Sequence, residues 1–333
     1  MSNIGQIYKI HSDFYYVNYN NQIFECKLRE VLKKQHLKVV TGDFVHFENG
    51  AIEDILPRKS YISHPDCANV EQIIIVSAIK EPDLDFVQLN RYIAFSEYYN
   101  IPIKLCFNKN DLSLDDKIID KVFSIYEPLG YDIIFTSAIE QEGTDDFKNL
   151  LTGKISVLAG GSGVGKSSLI NAINPDINLR TGNVSDRSKR GTHTTRHCEI
   201  ISLDINSKIV DTPGFSNLKF DFLMPNEVGK LFNEIKPLEQ YCKFSDCLHI
   251  HESGCAILEN IENIDATRYK SYIAFVNEAK EYKEHVKYNG TKSETRFKQS
   301  SNKKRTVKIS HKKRESARNT LKQNIQQHYD KEQ

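Results

Sequence analysis

Residues 155–174, ISVLAGGSGVGKSSLINAIN, decide the reading of this chain. An apolar run (155–159) reads as a buried strand, and 167–174 reads as a helix. Between them, Gly160-x4-Gly165-Lys166-Ser167 has the spacing of a loop that wraps phosphate. Glycines let backbone N–H groups of Gly160, Gly161, Ser162, Gly163, Val164 and Gly165 turn toward an anion at a helix N-terminus. In such a loop Lys166 reaches the β and γ oxygens, and the Ser167 hydroxyl, with Ser168 beside it, meets the magnesium that travels with a nucleoside triphosphate.

Two further motifs flank this one. Downstream, Asp211-Thr-Pro-Gly214 closes a strand at 208–210, where a carboxylate can hold magnesium through water and the Gly214 N–H can face the γ-phosphate. Upstream, Asn108-Lys109-Asn110-Asp111 ends a strand at 103–107, and a carboxylate there can accept two hydrogen bonds from guanine N1–H and the exocyclic amine. Adenine offers no such pair of donors, and a site that leaves buried polar groups unpaired rejects the wrong base by ~10⁴-fold or more. Ser137-Ala138, after a strand at 132–136, is expected to supply a backbone N–H for guanine O6. Ordinary GTPases place the guanine reader last; here it comes first.

Between the phosphate loop and Asp211 lies RSKRGTHTTR (187–196), a polar stretch suited to a mobile loop. Thr194 or Thr195 could close over magnesium and the γ-phosphate. Many GTPases place a water-orienting glutamine directly after the Asp-x-x-Gly motif, but Phe215 stands there. A hydrocarbon ring cannot orient water, so His193 is the nearest candidate for the catalytic role.

The first sixty residues carry short alternating runs at 5–10, 14–19, 22–28, 39–47 and 51–56, separated by Asn-Asn, Thr-Gly and Asn-Gly turn signals. Such spacing predicts a small OB-like β-barrel. Its aromatics Tyr15, Tyr16, Tyr19, Phe24, Phe44 and Phe47 divide between the core and a surface that could stack RNA bases. From Val70 onward strands at 72–77, 103–107, 132–136 and 155–159 alternate with helices at 85–99, 115–129 and 167–174, the pattern of a parallel α/β sheet. An antiparallel pair is expected over 200–211. Helices are then expected at 225–235, 257–260 and 266–284. The division expected is 1–62 barrel, 63–222 nucleotidase, 223–288 helical metal-binding domain and 289–333 basic tail.

Seven cysteines are present, and Cys242, Cys247 and Cys255 crowd beside His249 and His251. In a reducing compartment such a cluster points to metal, and three Cys with one His make a closed zinc set. Cys26, Cys67, Cys106 and Cys198 read as small core residues. The chain has 333 residues, 39% apolar and 27% charged, with formal charge +1. That balance hides a basic tail: residues 286–333 hold 14 Lys/Arg against four acids, net +10, so the remainder is near −9. A polyanion, RNA rather than membrane, is the expected partner. The first residues lack a basic region followed by an apolar one, and nothing approaches the ~20 apolar residues of a membrane span, so a cytoplasmic protein is expected. Monomer is the default.

Taken together, these motifs resemble the ribosome small-subunit-dependent GTPase A (RsgA) family of circularly permuted bacterial GTPases. The likeness runs over about residues 5–277 and rests on Asn-Lys-Asn-Asp, GGSGVGKSSLIN, Gly191–Thr195 (GTHTT), Asp-Thr-Pro-Gly-Phe and CKFSDCLH…ESGC. It implies an OB barrel, a permuted GTPase domain and a zinc domain, in an enzyme that hydrolyses GTP to GDP. It also implies action late in small-subunit maturation, with turnover stimulated by the subunit and its rRNA. The resemblance makes Cys242, Cys247, His249 and Cys255 the ligands of one structural zinc, and puts a histidine at His193 in the proposed catalytic role. Thr192 and Ser253 depart from the family's basic residue and proline. A different class, a nucleotide-gated RNA-binding module with incidental hydrolysis, is the alternative. A permuted GTPase of the large subunit is disfavoured by the barrel and zinc cluster together.

Overall fold

The protein was analysed as a computed structural model, which describes residues 3–34, 37–63, 65–113, 116–179, 198–211, 218–289, 297–299 and 305–307. Five strands, β1 (Asn3–His11), β2 (Phe14–Tyr19), β3 (Gln22–Leu28), β4 (Phe44–Glu48) and β5 (Ala51–Ile55), pair in the order β1-β2-β3-β5-β4, and β4 returns to β1. With β3 parallel to β5 and the other pairs antiparallel, this is the closed barrel expected. The period-two pattern sends Ile7, Val17, Cys26, Val45, Phe47 and Ile52 inward. Asn20-Asn21 and Asn49-Gly50 all have positive φ, the geometry that two-residue hairpin turns require. A short helix α1 (Glu30–Lys34) plugs one side.

The strand expected over 39–47 is shorter, beginning at Phe44. Residues 39–43 turn instead, because Gly42 (φ +94°) lies so close to the Ala68 carbonyl that a Cβ would sit 2.1 Å from its oxygen. The fully buried Asp43 carboxylate holds that turn by accepting from Val40 N–H and from both Nε and Nη2 of Arg58. The neighbouring hairpin, β6 (Tyr61–Ser63) and β7 (Asp66–Ala68), has strands too short for any periodicity to announce.

The second layer is an α/β sheet. Its strands are β8 (Gln72–Ala78), β9 (Ile103–Asn108), β10 (Asp132–Thr136), β11 (Ile155–Ala159), β12 (Glu199–Ser202) and β13 (Lys208–Asp211). They lie in the order β10-β9-β8-β11-β13-β12, all parallel except β12. Every residue of β8 is buried, as the middle of a two-sided sheet demands. Helices α2 (Phe86–Tyr98), α3 (Lys117–Tyr126), α4 (Thr144–Leu151) and α5 (Lys166–Ile173) cover its faces. Asp85 caps α2 by accepting from Val87 and Gln88 N–H. The helix α4 was not anticipated, since only Phe147 and Leu151 of its polar sequence are buried. Lys9 of β1 pairs with Glu199 of β12, so barrel and α/β sheet form one eleven-stranded sheet.

Beyond Phe220 a third core forms around Val228, Phe232, Ile235, Tyr272 and Phe275. The α-helix expected over 225–235 is a 3-10 helix, Pro225–Leu231, in which Gly229 leaves room for the Glu239 carboxylate. After α6 (Ala256–Glu259), the long α7 (Ala266–Asn289) packs against α2. Arg268, 1% exposed, donates to both oxygens of Glu234 at 2.6 and 3.0 Å and to Asn90 Oδ1 at 3.0 Å. Asn90 also donates to Ser271 and accepts from Tyr126. A second bidentate pair, Arg91 with Glu278, closes the same contact at 2.6 Å. Cys26, Cys67, Cys106 and Cys198 are buried, as read from the sequence. In the tail, 297–299 and 305–307 pair antiparallel. No described helix is long and apolar enough to cross a membrane.

Candidate nucleotide site and metal centre

Parallel order puts the C-terminal ends of β9, β10 and β11 on one edge of the sheet, where ligands of open α/β folds bind. The loop between β11 and α5 is shaped by close backbone approach. A Cβ on Gly160 (φ +143°) would lie 2.1 Å from the Val76 carbonyl oxygen, and one on Gly165 (φ +93°) 2.2 Å from Asn108 Nδ2. Only glycine fits either position. Lys166 donates to the carbonyls of Gly160 and Gly161 at 2.9 and 2.7 Å, so its ammonium lies over the loop it must serve. Ser167 and Ser168 follow in the first turn of α5, half-buried, while Gly161, Ser162 and Gly163 form the outer rim and Val164 is buried. Asp211 ends β13, the strand next to β11, with its side chain exposed.

Asn108 is the joint of the site. Buried at the end of β9, it donates from Nδ2 to the Val164 carbonyl at 2.9 Å, and its Oδ1 accepts from Thr136 Oγ1 at 3.2 Å and from Ala138 N–H at 3.3 Å. One amide thus ties the glycine loop 160–165, the segment 108–111 and the turn after β10. Its neighbour Lys109 is left-handed (φ +61°) and its ammonium bonds the Glu81 carbonyl. Among the described residues Asn110 Oδ1 is buried with no hydrogen-bond partner, and Asp111 is exposed at the rim. Ser137 N–H donates to Glu142 O at 2.9 Å. Both amides expected for a guanine carbonyl therefore have protein partners here, Ala138 through the longer and more exchangeable bond.

His193, Thr194, Thr195 and Gly214, together with Thr192 and Phe215, lie outside the described residues.

At the far end, Cys242, Cys247, His249 and Cys255 place one ligand atom each within 4.8 Å of one another, a set that could hold a metal ion. His249 Nδ1 lies 3.6 Å from Cys242 Sγ and 3.4 Å from Cys255 Sγ, while His251 is exposed. Burial pushes the Cys247 thiol up to about 12, so a cation is what would stabilise its thiolate. Groups the spacing could not reveal hold the ligands. Glu239 stands 3.6 Å from His249 Nε2, the position that orients a metal-binding imidazole. Glu252 accepts from Leu248, Ile250 and His251 N–H; burial opposes its ionisation, but these backbone donors outweigh it and bring the carboxyl down to about 2. From α7, the Tyr269 and Tyr272 hydroxyls donate to the His249 and Leu248 carbonyls at 2.7 and 2.9 Å.

A glycine loop between strand and helix, with the segment 108–111 beside it on one edge of a parallel sheet and that segment's strand ahead of the loop's, is the arrangement of a circularly permuted P-loop GTPase carrying an N-terminal barrel. Comparison with known proteins agrees with this class. Residues 4–54 match the RsgA N-terminal domain and 55–221 the RsgA GTPase. Small ribosomal subunit biogenesis GTPase RsgA of Bacillus cereus is 39% identical over 289 residues, 84% of this chain and 98% of that protein. Its counterpart from Alkaliphilus metalliredigens is 38% identical over 285 residues, covering 83% and 97%. Among solved structures, YjeQ from Thermotoga maritima aligns with a TM-score of 0.73 and 33% identity over 84% of this chain and 99% of that one. YloQ, described as a circularly permuted GTPase, aligns at 0.69 and 31%, covering 84% and 96%. The chain belongs to the RsgA GTPase family, and it is a GTP hydrolase.

Proposed function

We propose that this GTPase binds the small (30S) ribosomal subunit and assists its late maturation, hydrolysing GTP with subunit-stimulated turnover. The observation that carries the nucleotide half is the Asn108 amide, which joins guanine reader and phosphate loop into one site. The ribosomal half is supported by the names of relatives alike over nearly their whole length.

In this reading Asp111 pairs with the guanine N1–H and amine, and the loop 160–165 and Lys166 cradle the phosphates. Ser167 and Asp211, with Thr194 or Thr195, hold magnesium, which when bound neutralises charge on the β and γ oxygens. His193 orients the attacking water, and Gly214 N–H faces the γ-phosphate. The four ligands Cys242, Cys247, His249 and Cys255 hold one zinc, and because all four positions come from protein the ion is structural. The barrel, the zinc domain and the basic tail contact rRNA. The protein works in the cytoplasm as a monomer.

The test is GTP hydrolysis by the purified chain alone, with small subunits and with large subunits, at fixed salt because phosphate contacts are screened. Stimulation by small subunits only, lost in His193→Ala with GTP binding retained, is the expected result. No stimulation by either subunit would favour a nucleotide-gated RNA binder with incidental hydrolysis.

A further inference from the structure

The metal-binding loop displays two large aromatic side chains to solvent. Tyr241, immediately before Cys242, is 70% exposed, and Phe244, two residues after it, is 44% exposed. Neither ring packs on another aromatic ring among the described residues. Lys243 between them has its ammonium 5.5 Å over the Phe244 ring. Its N–H donates to the Gly254 carbonyl at 2.9 Å, and its stem runs over Gly254, whose positive φ (+71°) turns the loop back beneath it. Backbone bonds hold the segment that carries the rings: Tyr241 N–H donates to the Leu238 carbonyl at 3.0 Å, Cys242 N–H to that of Glu239 at 3.2 Å and Cys247 N–H to that of Phe244 at 3.3 Å.

We propose that Tyr241 and Phe244 are a stacking platform for unpaired RNA bases, with Lys243 on an adjoining phosphate; this rests on the ribosomal reading above and names a contact within it. Size decides between partners. A stable protein interface removes about 800 Å² from each partner around an apolar centre. In residues 223–288 the only exposed large hydrophobics among the described residues are Tyr241, Phe244 and Ile261, far too little for such a centre. A base needs one ring face and tolerates any sequence, because every base has a π-surface. Lys243 is the one Lys or Arg in 239–252, beside Glu239, Asp246 and Glu252, and α7 leads from this domain into the tail of net +10, which supplies the excess positive charge that a polyanion needs.

The experiment uses the full-length, metal-loaded chain. Binding of a fluorescent mixed-sequence single-stranded 12-mer RNA, and of purified small subunits, is compared for wild type, Tyr241→Ala/Phe244→Ala and Tyr241→Phe/Phe244→Tyr at fixed salt. The double alanine variant is expected to lose at least about tenfold in both assays, and the aromatic variant to bind as wild type. Metal content and basal GTP hydrolysis are expected to be unchanged in both. Lys243→Ala is expected to lower the salt slope by about one ion. Wild-type RNA binding by the double alanine variant would overturn the platform, as would photocross-links from a benzophenone side chain at position 241 that reach protein instead of RNA. Failure of the ribosomal reading looks different: wild type unstimulated by small subunits while the 12-mer binding still depends on both rings.

Discussion

Replacing Asn108 with alanine should damage nucleotide binding more than any other single truncation at the site that leaves the phosphate loop and base-reading carboxylate in place. The substitution deletes one donor and one acceptor, and takes a partner from three groups: the Val164 carbonyl at 2.9 Å, the Thr136 hydroxyl at 3.2 Å, which keeps Cys106 Sγ at 3.5 Å, and the Ala138 N–H at 3.3 Å. A buried polar group left unpaired costs about 1–3 kcal/mol. The short bond to Val164 deserves the upper part of that range and the two long ones the lower part, while the half-buried Ala138 can recruit water. A total of about 3 kcal/mol follows, which is roughly a hundredfold at 1.4 kcal/mol per decade. Thr136 ends β10, and Val164 and Ala138 stand in the loops after β11 and β10, where the free protein can open to hydrate them and must close again on nucleotide, so the loss should be read in affinity. A titration with fluorescent GDP should show roughly 100-fold weaker binding, with the thermal midpoint of the nucleotide-free protein little changed. An affinity within threefold of wild type would refute the idea that this amide organises the site.

Asp111→Asn should move preference from GTP toward xanthosine triphosphate, whose additional carbonyl meets an amide donor; competition binding that still favours GTP would remove Asp111 from base recognition. Arg268→Met leaves the Glu234 carboxylate buried without its partner and should cost about 3–5 kcal/mol in the unfolding of the C-terminal domain. The double change Arg268→Met/Glu234→Gln should recover part of it, and a single variant as stable as wild type would contradict the pairing. Glu252 has a folded pKa of about 2 against the usual 4.5, so its ionised form stabilises the fold above about pH 4.5, and that contribution is lost as pH falls toward 2. The gap between wild-type and Glu252→Gln unfolding midpoints should be constant above pH 4.5 and narrow below it; a gap independent of pH would refute the assignment.

What the sequence made legible follows the range of the physics involved. Strands β2 and β3 have the bounds that alternation predicts, and β8 and β11 are visible as largely apolar runs broken only by Gln72, Ser77 and Ser156, because burial on one or both faces leaves a local pattern. Phosphate-loop and cysteine spacings were legible because backbone geometry ties those residues within a few positions. Contacts made from afar left no such mark. The turn at 39–43 brings Gly42 against Ala68, and the 3-10 helix Pro225–Leu231 sets Gly229 against the Glu239 carboxylate, both contacts between residues distant in sequence. Asn108 reads as one letter of a base-recognition motif, whereas its role as a tie to Val164 needs two strands brought together. Glu239 and the α7 tyrosines, the supports of the Cys/His cluster, are likewise set by tertiary packing alone.

The order β10-β9-β8-β11-β13-β12 also has a meaning for how the sheet is made on a translating ribosome. The middle strand, β8, emerges first. β9 then finds β8, β10 finds β9, and β11 returns to the other side of β8, so each of these strands meets an edge that already exists. Only β12 precedes its neighbour β13, and a hairpin with a five-residue connection, 203–207, can form as it emerges. An unpermuted chain, with the segment 108–111 last, would start from β11 and its neighbour β13 instead. Moving the termini therefore changes which strand starts the sheet: β8 gains β9 on one edge at once, while its other edge stands open from Ala78 until Ile155 has emerged.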